Sequence, residues 1–230
     1  PEPMDRTMIC RNVDVAYRLS DGRERCVLAS LQASFPPGVL TLISGETGSG
    51  KSTLLHTLAG LMRPTRGEIQ VEGQIVSRWL SSFRDRWRRR VGIVFQFQSL
   101  LPDLTVIENV LLPMIPRKVS LQGSRRRARQ LLSMLGIDPL RNETAGTLSG
   151  GQRQRVAVAR ALISEPLFLF ADEPTAHQDA AGAECILSML EQPLQRNAVV
   201  VVAAHDPRIL QSAGRLRHYR LENRQLSRLS

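Results

Sequence analysis

The residues with the clearest capacity for chemistry lie between positions 45 and 53, where glycines are interspersed with polar and charged side chains. Closely spaced glycines let successive backbone N–H groups turn toward one anion, and the positive end of a following helix adds to that attraction. A lysine at the end of such a loop reaches the β- and γ-phosphates of a nucleotide, and the next hydroxyl ligates Mg²⁺. The run therefore predicts a phosphate-binding loop, made of Gly45, Glu46, Thr47, Gly48, Ser49, Gly50, Lys51, Ser52 and Thr53.

A second group of reactive side chains follows the apolar run Leu167–Ala171, which leads into Asp172 and Glu173. Two adjacent carboxylates at the end of a buried strand are costly unless they contact cations or water. Ligands of open parallel sheets bind at the carboxyl ends of the strands, which places Asp172 to hold Mg²⁺ and Glu173 to deprotonate an attacking water. A solvated acidic turn is the alternative, and it is disfavoured because the phosphate-binding loop needs a magnesium partner.

A third motif is the signature LSGGQ at positions 148–152, which is followed by a helical pattern over Val156–Ile163. A serine and two glycine amides at a helix N-terminus form a second anion-binding site. Through this motif the chain resembles the ABC ATPase family, in which the signature contacts the nucleotide held by the other subunit. The resemblance implies that role for Ser149, Gly150, Gly151 and Gln152.

The resemblance extends over essentially the whole chain and assigns further residues by their match to family motifs. Tyr17 matches the aromatic residue that stacks on adenine, although a lone tyrosine near a strand end is by default a packing residue. Gln96 matches the glutamine that contacts Mg²⁺ and water and links the two lobes, and Gln98 is its neighbouring competitor. His205 matches the histidine that contacts the γ-phosphate.

Asp179 matches the aspartate of the loop after the catalytic Glu173, which in the family crosses the dimer interface. The three residues before it, Ala176–Gln178, depart from the Gly-Asn-Leu type that is usual there. We therefore expect communication between subunits to differ in detail from that of typical members.

Alternation of strand-like and helical runs indicates how these residues are positioned. Val39–Ser44 is followed by a helical run over Lys51–Leu61, Leu167–Ala171 by one over Ala180–Leu190, and Val199–Ala203 closes the series. This order predicts an α/β fold, a P-loop NTPase core with a mostly parallel sheet. We also expect a flanking N-terminal antiparallel sheet, built from strands over Met8–Tyr17, Cys26–Phe35 and Glu68–Val71.

The chain is predicted to be one ABC ATPase domain over residues 1–230. Residues 1–96 and 156–230 form the antiparallel sheet and the core, and residues 97–155 form an inserted helical lobe. Within the lobe, Ser124 is the predicted N-cap of a helix that Gly136 ends.

Composition limits the function less than the motifs do. The net charge of +10 suits nucleic acid, anionic lipid or phosphate ligands and does not choose among them. Arginine clusters at 84–90 and 125–129 are interpreted as solvated helix faces. Cys10, Cys26 and Cys185 lack the pairing of a disulfide framework or a zinc site and are expected to be reduced thiols.

The motifs predict nucleotide hydrolysis with Mg²⁺, and the resemblance to the ABC ATPase family implies that the nucleotide is ATP and that a homodimer sandwiches two of them head to tail. The longest apolar run, Ala198–Ala204, is too short for a membrane helix, and the N-terminus has no signal-like pattern. We expect a separate transmembrane permease subunit, no direct nucleic acid, and a location on the cytoplasmic face of the inner membrane. Residues 94–113 resemble the lipoprotein-release and macrolide-exporter group. A regulator of a membrane complex without solute transport, and a nucleic-acid-associated ABC ATPase, remain alternatives.

Overall fold

The computed structural model describes residues 5–78, 81–117, 119–205, 208–212 and 215–229. Its strands are β1 (Met8–Arg18), β2 (Glu24–Phe35), β3 (Leu40–Ser44), β4 (Arg66–Val71), β5 (Gln74–Ile75), β6 (Val91–Val94), β7 (Phe168–Asp172), β8 (Val199–Ala203), β9 (Leu216–Glu222) and β10 (Gln225–Arg228). Its helices are α1 (Lys51–Leu58), α2 (Ser81–Arg88), α3 (Val106–Leu111), α4 (Leu121–Met134), α5 (Gly150–Leu162), α6 (Ala180–Glu191) and α7 (Arg208–Ser212). No helix in these ranges has both the length and the apolar character that crossing a bilayer requires.

Two sheets form the framework of the fold. The antiparallel sheet has the order β2-β1-β4-β5, and the larger sheet has the order β10-β9-β3-β8-β7-β6. In the larger sheet β9, β3, β8, β7 and β6 pair in parallel, and β10 pairs antiparallel with β9. The predicted α/β class with a mostly parallel sheet and a flanking antiparallel sheet is confirmed.

Alternation of side chains along the buried strands gives the larger sheet two apolar faces. Leu169 and Ala171 of β7 pack with residues of α3, α4, α5 and α6 on one face. Phe168 and Phe170 of the same strand pack on the other face with α1 and the antiparallel sheet. The core therefore holds the phosphate-binding helix α1 between the two sheets.

The helical lobe differs from the expectation at the start of α4. The N-cap is Ser120, whose side chain accepts a hydrogen bond from the Gly123 N–H, so the prediction of Ser124 as N-cap was wrong. Ser124 is buried one turn inside the helix, where its hydroxyl donates to the Ser120 carbonyl. The helix ends as expected, with Gly136 at φ +69° after the C-cap Leu135.

Candidate functional site

The candidate site lies at the carboxyl ends of four adjacent parallel strands. In the order β3-β8-β7-β6, these strands are followed by the phosphate-binding loop, His205, Glu173 and Gln96. Side chains that are far apart in the sequence therefore meet because parallel strands present their carboxyl ends at one edge of the sheet.

One cavity of about 490 Å³ gathers most of the predicted residues. Its walls include the adenine candidate Tyr17 and the carboxylates Asp172 and Glu173. The predicted residues that line it are Tyr17, Thr47, Gly48, Gly50, Lys51, Ser52, Thr53, Gln96, Asp172, Glu173 and His205. The remaining loop residues Gly45, Glu46 and Ser49 line a larger neighbouring cavity of about 980 Å³, which shares Thr47, Gly48 and His205.

The phosphate-binding loop owes its shape to glycines in the left-handed region. Gly50 has φ +108° and is the residue before the first turn of α1. A Cβ on Gly45, at φ +150°, would lie 2.3 Å from the Leu221 carbonyl oxygen, so this position has no room for a side chain. The loop is thus held against β9 while its backbone turns toward the start of α1.

Lys51 is the central cation of the cavity and is 7% exposed. Its ammonium donates to the carbonyls of Gly45 at 2.7 Å and Glu46 at 3.0 Å, and it lies 2.9 Å from Nε2 of His205. Burial lowers the pKa of Lys51, while the negative charges of Glu173 and then Asp172 act in the opposite direction. The lysine therefore balances both carboxylates of the site.

Glu173 directs its carboxylate toward the same point. Its backbone has φ +46°, a left-handed conformation that is uncommon for a side chain of this size, and its N–H donates to the Ala203 carbonyl at 2.8 Å. The carboxylate oxygen Oε1 lies 3.6 Å from Nε2 of His205. Asp172, the last residue of β7, is only 3% exposed. The two neighbouring carboxylates thus differ in environment.

Tyr17 lines the same cavity. The residue is 40% exposed, and its hydroxyl lies 3.1 Å from the Thr53 hydroxyl. A partly exposed aromatic ring of this kind can stack on a planar base.

The structure separates Gln96 from its competitor. Gln96 lines the cavity, whereas the side-chain amide of Gln98 donates to Oε1 of Gln154 on α5 at 3.0 Å. Arg160, also on α5, donates to the carbonyls of Gln98 at 2.7 Å and Ser99 at 2.9 Å. Arg160 was missed by the sequence analysis, because an arginine in the last turn of α5 has the pattern of an ordinary surface residue.

The signature motif is placed apart from the cavity. Ser149 is the N-cap of α5 and forms a capping box with Gln152, in which each side chain bonds to the other's backbone. None of the four predicted signature residues is among the described residues that line the cavity of Lys51. Asp179 is likewise not among the described residues that line this cavity. It is the N-cap of α6 and accepts from the Gly182 N–H at 2.8 Å.

Comparisons of sequence and of structure both find known proteins that are similar to this chain. The family described as ABC transporter matches residues 28–176. An uncharacterized ABC transporter ATP-binding protein of Mycobacterium tuberculosis is 40% identical over 207 residues, which cover 90% of this chain and 62% of that protein. The chain thus spans less than two thirds of that relative's length.

The match to each of two further proteins spans most of that protein's length. An uncharacterized ABC transporter ATP-binding protein of Thermotoga maritima is 44% identical over 173 residues, 74% of this chain and 73% of the relative. The ATP-binding cassette MJ0796 has been solved as a dimer in a post-hydrolysis state bound to ADP and Pi. That structure matches with a TM-score of 0.88 and 31% identity, over 97% of this chain and 99% of the other.

Proposed function

The chain belongs to the ABC transporter family, and from that premise we propose that it is an ATP-binding cassette that hydrolyses ATP as a dimer. One observation carries the proposal. Lys51, Asp172, Glu173 and His205 converge on a single cavity that also contains Tyr17 at its edge. The cavity thus brings together an aromatic ring for the base, a loop for the phosphates and a carboxylate that can accept the proton of water.

The reaction is ATP + H₂O → ADP + phosphate, and its catalysis is electrostatic positioning. Glu173 takes the proton of the water that attacks the γ-phosphorus. Lys51 and the loop N–H groups hold the β- and γ-phosphates, and His205 contacts the γ-phosphate oxygens. The proximity of His205 to both Lys51 and Glu173 supports this division of roles.

The oxygen donors of the cavity fit a magnesium ion. Ser52, Gln96 and Asp172 supply a hydroxyl, an amide and a carboxylate, which are the hard ligands that Mg²⁺ prefers. When bound, Mg²⁺ neutralises charge on the phosphate oxygens. Asp172 is the buried member of the set, and a cation would offset the cost of its burial.

A second chain is proposed to complete each site. Ser149 caps the N-terminus of α5, an anion-binding position, yet it does not line the cavity of its own chain. A head-to-tail dimer would bring that helix end to the γ-phosphate held by the partner. The dimeric state of the related cassette MJ0796, bound to ADP and Pi, supports this arrangement.

Coupling to a membrane subunit is proposed from the surface of the helical lobe. Phe97 is 80% exposed, Ile115 is 75% exposed and Leu121 is 66% exposed. Exposed apolar side chains that form one patch mark a docking surface for another protein. We infer a separate permease as partner, with the chain peripheral on the cytoplasmic face of the membrane, and the resemblance over residues 94–113 favours the lipoprotein-release and macrolide-exporter group.

The test of the hydrolytic role is Glu173→Gln, which keeps the size of the side chain and removes its basicity. The variant is expected to bind ATP, to lose steady-state hydrolysis and to accumulate as a nucleotide-bound dimer. Glu184→Gln, on the exposed face of α6, is the matched control and should behave as wild type. ATPase rate and mass in solution with Mg-ATP are the measurements. Turnover of Glu173→Gln near the wild-type rate would remove Glu173 from the role of base.

A further inference from the structure

The loop after Glu173 is tied to the first turn of α5 by one side chain, that of Gln178. Its amide nitrogen donates to the carbonyl of Gly151 at 2.9 Å. Its amide oxygen accepts from Nε of Arg155 at 3.0 Å. Both ends of one amide are therefore used, and both partners belong to α5, the helix that begins with the signature.

Arg155 extends this contact to two further helices, α4 and α6. Its Nη1 donates to the carbonyl of Leu135, the C-cap residue of α4, at 3.2 Å. Its Nη2 lies 3.9 Å from Oδ1 of Asp179, the N-cap of α6. The end of α4 and the starts of α5 and α6 thus meet at the Arg155–Gln178 pair, which forms a bridge between these three helices.

The third residue of α6 leaves room for the pair. A Cβ on Gly182 would lie 2.6 Å from Nη2 of Arg155, and 2.7 Å from both Oε1 of Gln178 and Oδ1 of the N-cap Asp179. Such distances are below any ordinary contact, so a side chain at position 182 would displace the pair. The space that Gly182 leaves free is therefore occupied by the two side chains of the bridge, which is a second observation beside their hydrogen bonds.

The bridge depends on the chemistry of glutamine. An aliphatic side chain of similar length offers neither the donor for Gly151 nor the acceptor for Arg155. The leucine that is usual at this place in related loops could pack against α5 but could not form these hydrogen bonds. The departure noted at Ala176–Gln178 therefore has a defined structural consequence in this chain.

We propose that Gln178 is a positioning residue that couples the two nucleotide sites of the dimer through one chain. The inference rests on the proposed function, in which a chain gives Glu173 to one site and Ser149 to the other. Five positions separate Glu173 from Gln178 in the sequence. A shift of the loop at one site is then transmitted by the amide to the helix start that serves the second site.

The experiment compares two pairs of variants in the full chain. Gln178→Met removes both hydrogen bonds at nearly constant volume, and Gln130→Met, on the exposed face of α4, is its control. Gly182→Ala displaces the pair from α6. Its control is Gly123→Ala, since Gly123 is the third residue of α4, is likewise bonded to its N-cap side chain, and has 3.6 Å of room for a Cβ.

Three measurements are made on each variant. Hydrogen exchange of the amides of residues 152–155, without nucleotide, should be roughly tenfold faster in Gln178→Met, as expected when ordinary hydrogen bonds are lost from a helix end. The Hill coefficient of ATP hydrolysis should fall toward 1, and kcat should fall roughly fivefold. ATP affinity should stay at the wild-type value, because Gln178 does not line the cavity. Gly182→Ala should reproduce these changes and both controls should not.

Wild-type exchange at residues 152–155 in Gln178→Met would overturn the proposal. Faster exchange with an unchanged Hill coefficient would also overturn it, since the bridge would then hold the helix without coupling the sites. Failure of the proposed function would give a different result, namely no ATPase activity and no dimer in the wild-type chain. The exchange comparison uses the nucleotide-free chain and would still decide whether Gln178 holds the start of α5.

Discussion

The ammonium of Lys51 lies 2.9 Å from Nε2 of His205, although the two residues are 154 positions apart in the chain. An ammonium group can only donate, so Nε2 is the acceptor in this contact. The same Nε2 lies 3.6 Å from Oε1 of Glu173. His205 therefore contacts the main cation of the site and borders its proposed base.

This relationship predicts that His205→Ala lowers the rate of hydrolysis far more than it lowers ATP affinity. Removal of one group that stabilises transition-state charge typically costs about 100-fold in kcat. His56→Ala, on α1 outside the cavity, is the control. Steady-state ATPase assays and nucleotide titrations make the comparison, and a rate within about twofold of wild type would exclude a catalytic role for His205.

Tyr17 gives a prediction for nucleotide binding. The residue is 40% exposed and lines the cavity, and its hydroxyl lies 3.1 Å from the Thr53 hydroxyl and 3.3 Å from Sδ of Met62. Tyr17→Ala should weaken ATP binding by about 1 kcal/mol, which is one stacking interaction, while Tyr17→Phe and Tyr17→Trp should retain it. Equilibrium titration with a fluorescent ATP analogue is the measurement. An unchanged affinity in Tyr17→Ala would assign the ring to packing instead of nucleotide binding.

Much of the site could be predicted because its motifs have fixed positions relative to apolar strands. The loop at Gly45–Ser52 and the carboxylates after Leu167–Ala171 lie where β3 and β7 end. His205 follows a run of valines, and such a continuous apolar run predicts a buried strand. The parallel order of these strands then brings the side chains together.

Other elements could not be predicted because their local patterns are weak. β6 has four residues, and it follows an arginine cluster that was interpreted as a solvated face. Arg90 of that cluster instead pairs with Glu72 and lies over the ring of Phe168 at 5.3 Å. β9 carries charged residues at several positions, so its alternation is obscured, and the partner of Gln178 on α5 depends on tertiary contacts alone.

The thiols give a prediction about the native core. Cys10 lies within β1 at 3% exposure, and burial raises its pKa to about 12 from 9.0. Because the thiolate is the reactive form, a thiol reagent at pH 8 should modify the partly exposed Cys26 and Cys185 and leave Cys10 unmodified until the protein unfolds. Mass spectrometry of labelled peptides gives the order of reaction.

The same shift fixes the sign of a stability effect. The buried Cys10 thiol stays protonated in the folded chain while the unfolded thiol ionises, so its contribution is complete below pH 9.0 and is lost as pH rises toward about 12. Labelling of Cys10 in the native protein at the rate of the other two thiols would show that β1 opens without global unfolding.

The last prediction concerns which chain completes each nucleotide site. In a head-to-tail dimer, a mixture of one Lys51→Ala chain and one Ser149→Arg chain places both lesions in a single composite site. The second site then has an intact Lys51 and an intact Ser149. Neither homodimeric variant contains an intact site. Purified heterodimers, with Glu173→Gln added to both chains, should therefore occlude one nucleotide per dimer.

Occlusion is a better measurement here than hydrolysis. If the two sites are coupled, turnover can require both of them, so that a dimer with one intact site would retain nucleotide without hydrolysing it. If the signature instead acted within its own chain, every chain of the mixture would carry a broken site and no nucleotide would be retained. Glu173→Gln dimers without the other substitutions serve as the control and should occlude two. Heterodimers that occlude none, beside controls that occlude two, would exclude a site shared between Lys51 of one chain and Ser149 of the other.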